Sequence, residues 1–386
     1  MKFSVCIPYR ARIDNLRIAL EGLENQDLHR DDFEVCIGAM EYCPDFVTLC
    51  AEFEDALDIV SVLSSREFHI PRARNLAMRS AGGDVIVQMD ADTLLHPRAL
   101  STLYDRHFSL GQQQCVVGQV VGYGNNQDGD VDQVEQRPYR EHLRELQTMV
   151  SSESWPSDPR FGYDHNIPWA FVWTGLVALP RSAVVELDLY FDEDFQGWGV
   201  DDLEWGFRIS ASGLPINLQA DVFALHLPHA RDAAANERTE LANYRRFIRK
   251  WPRRDVELSM TVGDVCANKI WFAYLAELKR ASQAHTIAAA RGKMGTRSAL
   301  LLGIPVDEQE LPTRLADRAR IGSGDWQLWP LTGTALPLED EEIDVCLLDS
   351  SIHRLSRKTR ESVLNEAHRV AKTVQELAFL DDSAYL

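Results

Sequence analysis

The chain is short of positive charge, of paired cysteines and of long apolar runs, and each shortage excludes something. Lys and Arg total 40 against 59 Asp and Glu, a net charge of −19. That sign argues against broad binding to nucleic acid or to an anionic membrane, both of which need a cationic surface. The seven cysteines, Cys6, Cys36, Cys43, Cys50, Cys115, Cys266 and Cys346, are odd in number and form no CxxC pair. Several stand in strand-like runs such as Ser4-Val5-Cys6-Ile7, which predicts reduced, buried thiols in a cytoplasmic protein. The longest apolar stretch, Trp169 to Pro180, is too short to span a membrane and is broken by Thr174 and Gly175. A strand starting at Phe3 leaves no room for a signal peptide. There is no internal repeat and no low-complexity tract. What remains is an ordinary globular composition, 45% hydrophobic and 26% charged over 386 residues. That length is enough for about two or three domains with a core that needs no staples.

The first ninety residues alternate strand and helix. Phe3–Ile7, Phe33–Ala39, Asp58–Leu63 and Val85–Met89 read as short buried strands. Ile13, Leu16, Ile18, Leu20 and Leu23 recur at mostly helical intervals, and Pro71–Ala81 reads as a helix. This pattern predicts a mostly parallel α/β sheet flanked by helices, whose ligands bind beyond the carboxyl ends of the strands. From Gly122 to Pro168 the chain is turn-rich, with a helix near Arg140–Met149, and reads as either a mobile lid or a surface excursion. Order returns with a strand before Gly175, helices starting near Arg181 and Asp201, a strand over Val222–His226 and a helix over Glu237–Lys250.

The strand ends carry the chemistry. Gln88-Met89-Asp90-Ala91-Asp92 places two carboxylates two residues apart at a strand end, a hard oxygen site suited to Mg²⁺ or Mn²⁺. Pro8-Tyr9-Arg10-Ala11-Arg12 offers an aromatic face to stack on a base and guanidinium groups to pair with phosphate. Arg72 falls in the first turn of a helix opened by Pro71, where backbone N–H groups also favour an anion. In Gly197-Trp198-Gly199-Val200-Asp201-Asp202-Leu203-Glu204 two glycines let the chain turn sharply around an indole, and the acids fall at a helix start. One of those carboxylates, beside an apolar ring, suits a general base. His226 closes a strand and His229 follows three residues later; either could join the acidic pair in a mixed oxygen–nitrogen metal site.

Taken together, residues 2–250 resemble GT-A glycosyltransferases, family-2-like enzymes with a galactosyltransferase C-terminal motif such as β-1,4-galactosyltransferases and chondroitin-polymerase-like enzymes. Ile7-Pro8-Tyr9-Arg10-Ala11-Arg12 is similar to the family's first-strand Pro-Phe-Arg-Asn-Arg, and Arg72-Ala73-Arg74-Asn75 to its Arg-Ala-Lys segment. Asp90-Ala91-Asp92 is similar to the DxD motif, Trp173-Thr174-Gly175 to a Gly-Gly segment near the sugar, and Gly197–Asp202 to Gly-Trp-Gly-Gly-Glu-Asp. The resemblance implies a UDP-sugar donor held by Pro8, Tyr9, Arg10, Arg12, Arg72, Asp90, Ala91 and Gly175, and Mn²⁺ (or Mg²⁺) on Asp92 with His226 or His229. His226 matches by its place at the strand end, His229 by the Ala-Arg-Asp after it. Trp198 would wall the acceptor side. Asp201 replaces the family's Glu, and Asp202 would be the base of an inverting transfer to an acceptor hydroxyl. The family's usual membrane anchor has no counterpart. A catalytically silent nucleotide-sugar-binding scaffold is a second reading of these residues, and a methyltransferase-linked bifunctional protein that captures its substrate through the N-terminal domain is a third.

The C-terminal third resembles the later half of a class I methyltransferase domain. Leu336-Pro337-Leu338 leads to Ile343-Asp344-Val345-Cys346-Leu347-Leu348, then to a helix near Arg357–Ala371 and the apolar run 377–380. Residues 321–325, Ile-Gly-Ser-Gly-Asp, stand poorly for the cofactor loop. The expectation is therefore a glycosyltransferase domain over 1–255, a helical linker over 256–285, and a degenerate Rossmann-like module over 286–386 that could serve stability, pairing into a homo-oligomer, or acceptor binding.

Overall fold

The computed structural model describes residues 2–122, 127–128, 137–151, 158–231, 233–283, 285–311 and 326–377. The Tyr-Gly-Asn-Asn turn at 123–126, most of the polar stretch at 151–156, Asp232, the loop at 321–325 and the apolar residues 378–380 lie outside the described residues. The chain divides into two compact units, residues 1–164 with 168–243, and residues 165–167 with 244–386.

The first unit is built on β1 (Phe3–Tyr9), α1 (Ile13–Glu24), β2 (Phe33–Ala39), α2 (Pro44–Glu52), β3 (Ile59–Leu63), α3 (Ile70–Ser80), β4 (Val85–Gln88), β5 (Thr93–Leu95), β6 (Cys115–Val121), α4 (Tyr139–Ser151), β7 (Val177–Pro180), α5 (Asp201–Ala211), β8 (Ile216–His226) and α6 (Ala233–Lys250). The strands form one eight-stranded sheet in the order β3-β2-β1-β4-β7-β6-β8-β5. The four N-terminal strands are parallel, in register Cys6↔Cys36 and Val5↔Val87. Strand β7 turns the sense by pairing antiparallel with both β4 and β6.

Alternation along β1 explains both layers. Phe3, Val5, Ile7 and Tyr9 face one way, into a core shared with Leu16, Leu20 and Leu23 of α1 and Phe46 of α2. Cys6 and Cys36 face the other way, against Ala77 and Met78 of α3 and Trp205 and Ile209 of α5. Gly38 lets α3 approach β2 closely, since a Cβ there would stand 1.9 Å from the Ala73 carbonyl oxygen. All seven cysteines are free; Cys43, Cys50 and Cys266 are only half-buried.

One element departs from expectation. The strand lies after Gly175, at Val177–Pro180, and the residues before it, Pro168–Phe171, form a 3₁₀ turn. Proline fits the first turn of a helix, and the aromatic side chains of Trp169 and Phe171 are buried in this form without any ladder.

In the second unit two helices, α7 (Arg254–Val262) and α8 (Asp264–Ala281), precede a five-stranded sheet. Strands β9 (Thr286–Met294), β10 (Arg297–Val306), β11 (Gln327–Trp329), β12 (Val345–Leu348) and β13 (Val374–Glu376) lie in the order β11-β9-β10-β12-β13. Strands β9 and β10 are an antiparallel hairpin. Strands β10, β12 and β13 are parallel, and α9 (Arg357–Val370) connects the last two. Glu257 of α7 is wholly buried and accepts the backbone N–H groups of Thr332, Gly333 and Thr334 at 2.6–2.8 Å. No described helix is long and apolar enough to cross a membrane.

Candidate functional site

The site forms where β1 and β4 end and α3 and α5 begin. After Tyr9 the chain turns sharply, with Ala11 in the left-handed region at φ 56° and its N–H donated to Glu41 Oε1 at 2.7 Å. This turn presents Arg10 over the Phe68 ring, 4.7 Å from its centroid, and Arg12 to Asp92. Tyr9 itself does not face the site. Its ring is 1% exposed and stacks on Phe46 at 4.6 Å, because alternation on β1 sends it into the core, so it offers no platform for a base.

Asp90 and Asp92 part company. The Thr93 N–H bonds the Asp90 carbonyl in a turn, so the two side chains do not keep the common face of an extended strand. Asp90 accepts Arg74 Nη2 at 3.0 Å and the Thr174 hydroxyl at 3.3 Å. Asp92 is buried and meets Arg12, His226 and His229. Pairing of β5 with β8 sets Thr93 opposite His226, and Leu227 N–H closes on the Asp92 carbonyl at 2.7 Å. Both histidines therefore reach the carboxylate: His226 Nε2 stands 3.8 Å from Oδ1 and His229 Nδ1 3.2 Å from Oδ2.

The ligand atoms of Asp92, His226 and His229 lie within 4.8 Å of one another. Asp92 Oδ1 is buried and takes no hydrogen bond among the described residues. Burial opposes the Asp92 charge, but His226, Arg12 and His229 outweigh it and hold its pKa below the ordinary carboxylate value. Burial lowers the His229 pKa to about 4 against the pull of Asp92, which leaves a neutral imidazole at neutral pH. One ionised oxygen donor beside a neutral nitrogen donor and a second imidazole is a donor set that fits Mn²⁺ or a similar divalent ion.

Helix α3 supplies the second half. Pro71 opens it and His69 caps it, accepting Arg72 N–H at 3.2 Å. Arg72 pairs with Glu193 at 2.9 Å. Arg74 is buried and binds Asp90, Thr174 and Asp201 together. Burial alone would disfavour its charge, but Asp201 and Asp90 hold it firmly cationic.

Three of the four residues of the Gly197–Val200 turn have left-handed φ, at 71°, 92° and 72° for Gly197, Gly199 and Val200. Asn243 holds it by donating to the carbonyls of Gln196 and Gly199 at 2.8 and 2.9 Å. The turn leaves Trp198 42% exposed and starts α5 at Asp201. Asp201 is buried on Arg74; Asp202, one residue on, is half-buried. Gly175 is buried beside Thr174, Ala91 is buried between the two acids, and Pro8 is half-buried at the end of β1.

Residues 4–158 match the model of glycosyl transferase family 2. The protein is a glycosyltransferase. The enzyme is 28% identical over 98% of its chain to validoxylamine A glucosyltransferase of Streptomyces hygroscopicus subsp. jinggangensis, covering 97% of that protein. It is 22% identical over 59% of its chain to the uncharacterised glycosyltransferase YfnE of Bacillus subtilis, covering 65% of it. Among solved structures, S. aureus TarS in complex with UDP-GlcNAc aligns at TM-score 0.46 and 14% identity, covering 74% of this chain and 78% of that one.

Sequence reasoning passed over the pair that steadies this edge of the glycosyltransferase. Asp158 and Arg160 are both fully buried, and Arg160 also bonds the Phe171 and Gly118 carbonyls and lies over the Trp173 ring at 4.8 Å. Its one signal was Asp158 before Pro159, a turn cap. Glu193 and Asn243, which hold Arg72 and the Trp198 turn, lie 121 and 45 residues away from their partners and gave no local signal.

Proposed function

We propose that the enzyme moves a sugar from a nucleotide sugar, a UDP-sugar in the first instance, to an acceptor hydroxyl, with a divalent cation and with inversion at the anomeric carbon. The observation that carries this reading is the sorting of four carboxylates at one sheet edge. Asp92 lies among imidazoles, Asp90 and Asp201 lie on a buried guanidinium, and Asp202 stands half-buried in the first turn of α5.

Asp92, His226 and His229 would hold the cation, which supplies positive charge against a diphosphate leaving group. Arg10, Arg12 and Arg72 are the guanidinium groups suited to phosphate oxygens, with Pro8, Ala91 and Gly175 shaping the donor side. Asp201 is committed to Arg74, so proton removal from the acceptor hydroxyl falls to Asp202. Trp198, exposed on its turn, walls the acceptor side and keeps water from the donor. The relative's name makes a glucosyl donor the first to try.

The test is Asp202→Asn. Transfer to an acceptor should fall by about 10²–10⁴-fold, as for loss of a general base, while UDP–Mn²⁺ binding stays near the parent's. Near-normal transfer by this variant would remove Asp202 from the mechanism.

A further inference from the structure

Asp92 Oδ2 serves two partners. It receives the Arg12 guanidinium and stands 3.2 Å from His229 Nδ1. A cation held by Asp92, His226 and His229 needs this same carboxylate, and its charge would repel a guanidinium left in place. These two partners differ in freedom, the His229 side chain being only 11% exposed. The Arg12 side chain is 41% exposed, while that of Asp92 is 3% exposed and fixed among buried groups. Arg12 also stands at the cap of α1, after the left-handed Ala11, so its side chain can turn to solvent while the helix and β1 stay in place.

We infer that Arg12 is an internal counter-cation for Asp92, displaced when a divalent ion binds; this rests on the metal reading proposed above. A buried carboxylate left without a positive partner is costly, and Arg12 spares the site that state. Displacement also turns the guanidinium outward on the edge where Arg10 lies, free to meet a diphosphate. Metal and donor then bind cooperatively, since each favours the released position of Arg12, and linkage makes the coupling reciprocal.

The experiment titrates MnCl₂ without nucleotide into the full chain, Arg12→Gln, Arg12→Lys, Asp92→Ala and the control Arg17→Gln, and melts each in EDTA and in Mn²⁺. Arg17→Gln removes the same charge from the same helix but breaks only the exposed pair with Glu52. Arg12→Gln is expected to bind Mn²⁺ about tenfold tighter than the parent, to melt lower in EDTA and to gain more in Tm from Mn²⁺. Arg12→Lys should stay near the parent, which keeps the inference open to test if the glutamine variant fails to fold. A purely structural Arg12 would lower the melt and leave Mn²⁺ affinity unmoved. Unchanged or weaker Mn²⁺ binding by Arg12→Gln, when the parent binds and Asp92→Ala does not, overturns the inference and leaves the metal site standing. A parent that binds no Mn²⁺ removes both.

Discussion

Replacing Arg160 by methionine should cost the first unit much of its stability. The side chains of Asp158 and Arg160 have no solvent exposure. Arg160 Nε lies 2.9 and 3.0 Å from the two Asp158 oxygens, Nη1 donates to the Phe171 carbonyl at 2.9 Å, and Nη2 to the Gly118 carbonyl at 3.2 Å. Methionine would leave the carboxylate buried with the N–H groups of Val120 and of residue 160 and without its guanidinium. Breaking a buried pair by removing one partner costs about 3–5 kcal/mol, and each carbonyl stripped of its donor adds about 1 kcal/mol. Apolar packing by the new side chain offsets part of this, so about 4 kcal/mol is expected. Adding Asp158→Asn removes the stranded charge and should recover about 2 kcal/mol, because the amide oxygen still serves the Val120 N–H. The assay is urea unfolding followed by tryptophan fluorescence, with the shift in the transition of the first unit and its slope unchanged. An Arg160→Met variant within about 1 kcal/mol of the parent, or a double variant worse than the single one, would refute the reasoning.

Two further outcomes follow from other buried groups. Glu257→Ala would strand three backbone N–H groups of the 332–334 loop and should cost about 3 kcal/mol or more, with Glu257→Gln milder because it keeps one acceptor; equal stability of Ala variant and parent in urea would exclude the anchoring role. His142 of α4 is fully buried, and burial followed by Arg137 lowers its pKa from the ordinary 6.5. Below about pH 6.5 the unfolded chain therefore takes up a proton that the folded chain refuses, so stability falls with pH, by at most about 1.4 kcal/mol per pH unit from this one group. In His142→Gln that part of the slope should vanish in pH-resolved urea titrations; an identical slope would count against it.

Much of the candidate site was legible because β1, β2 and β4 are buried on both faces, and β1 and β4 end in chemistry. Apolar runs marked them; Arg10, Arg12 and Asp92 follow where the chain leaves the sheet, and Arg72 lies in the first turn of α3. Other features depend on the third dimension. Asp90 and Asp92 look like a pair in sequence, yet one turn sends them to different partners. Tyr9 looks like a stacking platform until the alternation of β1 is followed one residue further. His226 and His229, alternatives in the sequence, both stand beside Asp92, because the β5–β8 pairing and the turn after it bring them there. Arg160 gave almost no signal, because its carbonyl partners come from segments that meet only in the fold.

The most direct test of the central claim is calorimetric titration of UDP and GDP, with and without Mn²⁺, into the parent and Asp92→Ala. The account predicts that one nucleotide, UDP first, binds only with Mn²⁺ and that Asp92→Ala abolishes this binding. Nucleotide binding that ignores both Mn²⁺ and Asp92, or no binding under any condition, would contradict it.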